Sequence, residues 1–509
     1  MHEAHPSFRD ALSPLSPKGG FSLLKAGHGA LHFSFSFFHF FNCLYLSSHS
    51  HTHHSTRTFS HQDSPLLTMT KHDTDVTAAP VEQLQVKLGS AMAIVDGVQF
   101  SSGDNEWKNW GQNLTCNPNR VFYPTKVEDL KVIAREAKLN NKKIRCAGSG
   151  HSWCGAAVTN DYLVLVQNMN KIHAPVQSKE LQAKEGRDGW TVTIETGVLV
   201  SELDQFLRQH NPPLALPSNV VPGVVRYGGI LTMGCHGGSI NARTMCDMIT
   251  EMTIINAEGE LVTYNEAKDP EAFNAACLNL GLLGMIYTAT LKVEVMHTRL
   301  RMIDSYPTLE EICKSKDAGL KLKAMILKND STEFFYWPFA HFMKPEQNLS
   351  IWLKQWERTT EAAETHETKS RLDARPPMVD NPFFSEFHVG ERVMETPDAL
   401  HFHFGDGVTT VVDAGCAFKV DKDFKNACEA IYELVEKNWA FTTSMPERMG
   451  TALELRFIKS SNKIMSPAYD EDPEAIYCMM NVMAASGTPG FEEYSVEIVQ
   501  NWISKYQAK

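Results

Sequence analysis

Cysteine is sparse and unpatterned here: 11 in 509 residues, with no CxxC pair and no framework spacing. That excludes a disulfide scaffold and a structural zinc site, and it fits reduced thiols in an intracellular protein. Basic charge is also in deficit, with 48 Lys and Arg against 60 Asp and Glu and a formal net charge of −12. No basic stripe is present, so nucleic acid is excluded as a generic partner. Long apolar runs are missing as well. The phenylalanine-rich stretch from Leu31 to Leu46 is broken by His32, Ser34, Ser36, His39 and Asn42, and it is short against the roughly 20 apolar residues of a membrane span. With 43% hydrophobic content over this length, two or three domains are expected.

Residues 1–68 differ from the rest. They hold ten of the 21 histidines and a Ser/Thr/His run from Ser47 to His61, and are read as lying outside the fold. Three origins compete: a membrane or organelle-targeting segment, a disordered extension, or translated upstream sequence with the working start at Met69. The last is preferred. The histidine run can bind metal, but a solvated tail is the simpler reading, and no metal site is assigned.

The most informative stretch is Ala147-Gly148-Ser149-Gly150-His151-Ser152-Trp153. Small residues at a strand-to-helix corner let the backbone turn sharply and present N–H groups to a phosphate, and His151 projects from the same loop. A second glycine-rich stretch, Tyr227 to Ser239, carries Gly228, Gly229, Thr232, Gly234, His236 and Gly237. Each loop alone is a common turn. Two of them, each with a histidine, suit one extended ligand. Around them the pattern is α+β. Thr125 and Glu128 have capping-box spacing, Ser201 is placed to cap a helix carrying Leu203, Phe206 and Leu207, and Tyr162 to Val166 and Trp190 to Glu195 read as strands. Met252 to Ile255 and Leu261 to Tyr264 flank Glu258-Gly259 as a hairpin, and Gly281 to Tyr287 leads into a strand ending at Val295.

In the second half, Ala452-Leu453-Glu454-Leu455-Arg456-Phe457 alternates. On a strand Glu454 and Arg456 share one face, with Leu453, Leu455 and Phe457 on the other. Alone, such a pair is most simply an exposed ion pair of small energy. The aromatic segments 333–339 and 351–359 read as core strands.

Taken together, residues 117–296 resemble the PCMH-type FAD-binding domain of the vanillyl-alcohol oxidase superfamily, and in particular its sugar-lactone oxidases. The GSGHS loop, the later GG-x₅-HG loop and the G-x-x-G-x-Ile strand entry occur in the family's order. The resemblance implies an α+β architecture, a two-subdomain FAD-binding domain followed by a cap and substrate domain over 297–509. It implies that Gly148, Ser149, Gly150 and Ser152 cradle FAD phosphates, that Ser218, Asn219, Gly228, Gly229, Thr232, Gly234, His236 and Gly237 line the cofactor, and that Ile286 touches it. By the same carry-over His151 is bonded covalently to the flavin, which would fix the ring and tune its electron affinity. Glu454 and Arg456 become the catalytic pair, with Arg456 polarising the substrate oxygen through a fork that stays charged and Glu454 orienting hydroxyls or sharing in proton removal.

The expected activity is oxidation of an aldono-1,4-lactone, D-arabinono-1,4-lactone foremost, with hydride passing to FAD and oxygen regenerating it as hydrogen peroxide, in ascorbate-type biosynthesis. The resemblance also implies membrane association and a mitochondrial setting, or a cytoplasmic one if residues 1–68 are not made. One departure stands out: the family's closing Pro-His-Trp-x-Lys segment has no counterpart in Asn501 to Lys509, and Lys509 is given no role. Two alternatives follow, a flavin oxidase of an alditol, oligosaccharide or secondary metabolite, and a non-catalytic flavin-binding protein. Cys154 and Cys235 lie near the expected site and are read as small buried residues.

Overall fold

Three large sheets and the helices laid on them position most residues of interest, while Asn109 and Trp110 follow the strand Glu106–Lys108 of a small three-stranded sheet. The computed structural model describes residues 86–509 apart from 88, 90, 186–187, 297–298, 306, 337–350, 364–389, 402–409 and 449. The expectations for residues 1–68 and for Trp337, Pro338 and Phe339 fall outside the described residues. The described residues lie in one compact unit, Pro65–Lys509, and mix helix with strand as expected.

The first sheet comprises β1 (Ala91–Val95), β2 (Val98–Ser102), β3 (Arg120–Phe122), β4 (Ile144–Ala147) and β5 (Tyr162–Leu165), in the order β1-β2-β3-β5-β4. β5 runs parallel to both neighbours and all of it is buried, which is why its sequence is continuously apolar. Helix α1 (Val127–Leu139) crosses from β3 to β4 and buries Leu130, Ile133, Ala134 and Ala137. Its cap differs from the expected one by a residue. Asp129, not Glu128, accepts from the backbone N–H groups of Thr125 and Lys126, at 2.8 and 3.3 Å.

The second sheet has six strands. Its long ones, β6 (Trp190–Glu195), β7 (Ile249–Ile255), β8 (Leu261–Asn265) and β9 (Met285–Val295), stand in the order β8-β7-β9-β6 and are antiparallel. The expected hairpin is β7–β8, and Gly259 takes φ +75 at its turn, a conformation that favours glycine. Helix α2 (Val200–Arg208) begins earlier than expected: Leu199 is the N-cap, its N–H donating to Glu202 at 2.9 Å, so Ser201 lies inside the helix. Helix α3 (Tyr227–Thr232) follows with Arg226 as N-cap.

The third sheet contains β10 (Arg299–Ser305), β11 (Ser331–Tyr336), β12 (Trp352–Thr359), β13 (Gly390–Met394), β14 (Val411–Lys419), β15 (Ala452–Lys459) and β16 (Ile476–Ala485), in the order β13-β10-β12-β11-β15-β16-β14. Its two faces differ. On one, Phe334, Leu353, Leu453, Leu455, Phe457 and Met480 pack against helices α4 (Leu309–Cys313), α5 (Ala318–Lys328), α6 (Lys425–Thr443) and α7 (Phe491–Tyr506) in one apolar core. Truncating a fully buried residue there, such as Leu455 to Ala, costs about 2–5 kcal/mol. The other face carries Glu333, Lys354, Glu454, Arg456, Asn481 and Asp413, which the alternation of strand side chains places together. Among the described residues no helix is long and apolar enough to cross a membrane, and no group of three or more His, Cys, Asp or Glu residues is placed to hold a metal.

Candidate functional site

The first glycine loop leaves the end of β4. Gly150 holds φ +72, and a Cβ on Gly148 would stand 3.0 Å from the side chain of Arg226, so small residues are needed for turn and clearance alike. Ser149 Oγ donates to Val224 O at 2.7 Å, tying this loop to the segment that leads into the second. The turn is held from below by residues absent from the sequence-based expectations. Trp110 N donates to Gly150 O at 2.8 Å and Asn109 Nδ2 to Ser152 O at 3.1 Å. The His151 ring lies flat on Trp110, with centroids 4.4 Å apart and planes 13° from parallel. Burial drives the His151 imidazole down to about 4, so at neutral pH it is uncharged and nucleophilic.

The second loop is fitted just as closely. A Cβ on Gly228 would stand 3.0 Å from Thr196 Cβ, whereas Gly229 faces open space. Thr196 Oγ1 in turn donates to the carbonyl of Ile286 at 3.0 Å, which brings the β9 entry to the same place. Thr232 directs its hydroxyl back into α3, donating to Gly228 O at 2.7 Å. Gly234 takes φ +69. Asn219 Nδ2 donates to Tyr227 OH at 3.2 Å, and its Oδ1 accepts from Val220 N at 2.9 Å. Ser218 is fully buried, and its Oγ has no hydrogen-bond partner among the described residues. An orphaned buried hydroxyl is costly, so a ligand group at Ser218 would satisfy it. A Cβ on Gly237 would overlap that same Oγ. His236 is half-buried with Nδ1 3.0 Å from Gly237 O, and desolvation together with the charge of Arg456 holds its imidazole down at about 4.

The charged sheet face meets this loop. Arg456, with its side chain 8% exposed, reaches Glu454 through Nη2 and lies 3.3 Å from Glu333 Oε1 through Nε. Its Nη1 donates to His236 O at 3.4 Å. The Glu454–Arg456 pair is therefore buried, not the exposed pair that the dipeptide spacing alone suggests. Burial raises the Glu454 carboxyl above its ordinary range against the pull of Arg456; burial also works to lower the guanidinium, but the two glutamates outweigh it. Asn481 Nδ2 donates to Asp413 Oδ2 at 2.7 Å, and burial pushes the Asp413 carboxyl up to about 7. Phe335, Trp352, Val411 and Met483 pack with Trp110 and Trp153 at one border of this face. Trp153 Nε1 donates to Val411 O at 2.6 Å, so the His151 loop is fastened to the third sheet.

The structure thus gathers the glycine loops, Ser218, Asn219, Ile286, Glu454 and Arg456 around one region. Glu333, Asp413, Asn481 and Trp110 join them without a sequence motif of their own. Cys154 and Cys235 are half-buried beside the loops, and burial lifts the Cys235 thiol to about 11. Lys509 exchanges backbone hydrogen bonds with Ala417, and its Nζ donates to Tyr469 O at 2.8 Å.

The fold and the paired glycine loops define an FAD-binding protein. Residues 118–265 match the family model described as an FAD binding domain, a span that holds both glycine loops, Ser218 and Asn219. The whole architecture is similar to that of cholesterol oxidase from B. sterolicum, at a TM-score of 0.63 and 16% identity over 82% of this chain and 86% of that one. It is similar also to 6-hydroxy-D-nicotine oxidase from Arthrobacter nicotinovorans, at a TM-score of 0.55 and 16% identity over 84% and 88% of the two chains. In sequence the chain is similar to sugar-lactone oxidases. It is 28% identical to L-gulonolactone oxidase of Bos taurus over 257 residues, 48% of this chain and 54% of that one. It is 25% identical to L-gulonolactone oxidase of Scyliorhinus torazame over 396 residues, 74% and 81% of the two chains. It is 28% identical to D-arabinono-1,4-lactone oxidase of Saccharomyces cerevisiae over 211 residues, 42% and 38%. The chain thus spans about half the length of the bovine relative it matches.

Proposed function

We propose that this protein is an FAD-dependent oxidase of a sugar lactone, with D-arabinono-1,4-lactone as the foremost substrate and oxygen as the electron acceptor. The observation that carries this reading is the buried fork of Arg456, fixed by Glu454 and Glu333 and turned to the carbonyl of His236 in the second glycine loop. Gly148, Ser149, Gly150 and Ser152 would hold FAD from one side. Ser218, Asn219, Gly228, Gly229, Gly234, His236 and Gly237 would hold it from the other, with Ile286 at its edge and the Ser218 hydroxyl as a donor. Thr232 serves by bracing α3. Bound FAD supplies a two-electron acceptor for hydride.

The remaining work falls to the chain's own side chains. Arg456 binds the oxygen on the reacting carbon and stabilises negative charge there, which a planar, permanently charged fork does well in a buried site. Glu454, its carboxyl raised by burial, accepts the hydroxyl proton as hydride leaves. His151, kept neutral and clamped on Trp110, is the group for a covalent flavin bond. The test is anaerobic mixing of the FAD-loaded chain with aldono-1,4-lactones. Bleaching of the oxidised flavin supports the reading. A chain that holds FAD and stays yellow with every lactone overturns it, and bleaching by alditols alone would move the substrate to that class.

A further inference from the structure

We propose that Asp413 and Asn481 form a second hydroxyl-binding subsite on the charged sheet face, which recognises an uncharged donor hydroxyl of the substrate away from the reacting carbon. The proposal rests on the oxidase reading above and deepens it, because it states which part of a polyhydroxylated molecule the site senses.

The sheet register sets the geometry. Arg456 lies across from Glu333, Glu454 across from Asn481, and Asn481 across from Gly415, two residues from Asp413. Arg456 stands in line with Ala417 and Asp413 in line with Ala452, so the two are two strands apart across the sheet and four residues apart along it, on the order of 16 Å between Cα atoms at ordinary strand dimensions. The guanidinium and the carboxyl still act on each other's charge, and a molecule that meets both is extended rather than a single carbinol. Asp413 Oδ2 is occupied by the Asn481 amide, while Asp413 Oδ1 is shielded from solvent and has no hydrogen-bond partner among the described residues. An acceptor in that state is satisfied by a ligand hydroxyl that donates to it. Space for the ligand is kept by Gly415, which is exposed and whose Cβ, were there one, would stand 2.8 Å from Asn481 Nδ2. Val411, two residues before Asp413, accepts from Trp153, so the subsite borders the aromatic wall under the His151 loop.

Charge fixes the kind of group that fits. Glu333 and Glu454 already pair with Arg456 on this face, and burial pushes the Asp413 carboxyl up to about 7, so further negative charge beside it is disfavoured. A carboxylate on the ligand would add like charge, whereas a hydroxyl donates a proton to Oδ1 without bringing charge. The subsite thus favours a closed lactone or an alditol over the ring-opened aldonate.

The test uses the FAD-loaded full chain, a lactone or polyol that it binds, and the analogue lacking the distal hydroxyl, with binding read by calorimetry and kcat/KM by oxygen uptake. Wild type should lose about tenfold or more in both readouts on removal of that hydroxyl, as sites built to pair a hydroxyl do. Asp413→Ala should bind the two ligands within about twofold of each other while keeping wild-type flavin content. Asp413→Asn, of the same shape, should narrow the gap between lactone and aldonate. Equal discrimination by wild type and Asp413→Ala overturns the subsite alone, and binding of no lactone or polyol overturns both readings. Discrimination that vanishes in Asp413→Ala without any flavin reduction supports the subsite and removes the oxidase.

Discussion

Replacing Arg456 by Lys keeps one positive charge and removes a fork, which separates charge from geometry at the proposed catalytic centre. Arg456 addresses three acceptors at once: Glu454, Glu333 Oε1 at 3.3 Å and His236 O at 3.4 Å. A lysine Nζ is a point donor, and from the same Cα it keeps at best the contact to one carboxylate. If the fork stabilises charge developing on the substrate oxygen, its loss should cost about 2.7–4 kcal/mol in the barrier, a fall of roughly 10²–10³ in the rate of flavin reduction. Rapid mixing under anaerobic conditions measures that rate without the oxygen step. Arg456→Met should do more. The Glu333 side chain is 2% exposed and that of Glu454 13%, and stripping the shared partner from buried carboxylates costs about 3–5 kcal/mol of folding free energy. Urea unfolding of the FAD-loaded protein reads that loss, and adding Glu333→Gln to Arg456→Met should recover part of it. Arg456→Lys that reduces flavin within about threefold of wild type would refute the reasoning about geometry, and an Arg456→Met protein as stable as wild type would refute the burial argument.

His151→Ala should leave no flavin on the chain after acid precipitation, while the wild-type peptide containing His151 should carry it; flavin retained by the variant would remove His151 as the attachment point. Stability should depend on pH through Asp413. Its folded value, about 7, exceeds that of an unfolded Asp near 4, so folding takes up a proton in between and stability falls as pH rises from about 4 to about 7. His151 and His236, held down at about 4, work the other way over the same range, so the Asp413 contribution is read as the difference between the melting curves of wild type and Asp413→Asn, which should move against wild type as pH rises. The neighbouring glycines should separate cofactor from substrate effects. Gly237→Ala drives a methyl into Ser218 Oγ and should lower FAD content. Gly238→Ala drives one into Glu333 Oε1 and should slow flavin reduction in protein that still holds FAD.

Local signals made much of this legible in advance. The β7–β8 hairpin, the buried β5 strand and the alternation of β15 depend on periodicity and on a glycine turn, and all are written in consecutive residues. The helix caps shifted because two registers fit the same words: Thr125–Glu128 and Lys126–Asp129 have equal spacing, and tertiary contact decided. Likewise α2 starts at Val200 because Val200 N and Ser201 N donate to Val225 O and Gly223 O, at 3.0 Å each, across the fold. Glu333, Asn481 and Asp413 carried no such signal. Each is a polar residue in a strand with no motif around it, and only the sheet order β11-β15-β16-β14 assembles them beside Arg456. Trp110 was hidden for the same reason, its role arising from a ring stacked on a residue 41 positions away in sequence.

The glycines of the second loop have a reason beyond making room for phosphate. Gly237 faces Ser218 and the carbonyl of Asn219, on the cofactor side, and Gly238 faces Ser331 and Glu333, on the sheet. Ser239 then bridges to Ser331, and Ile240 N donates to Asp330 O at 2.9 Å. Residues 237–240 therefore form the seam between the FAD-binding loops and the charged face, with bare backbone at Gly237 and Gly238, where a side chain would hold the two apart. Arg456 closes the seam by donating to His236 O. A displacement of the loop on the cofactor side must move the acceptor of Arg456, and with it the fork that Glu454 and Glu333 hold. That linkage is mechanical and needs no separate hinge, since a close-packed seam with both glycines against their neighbours has little slack to absorb the shift.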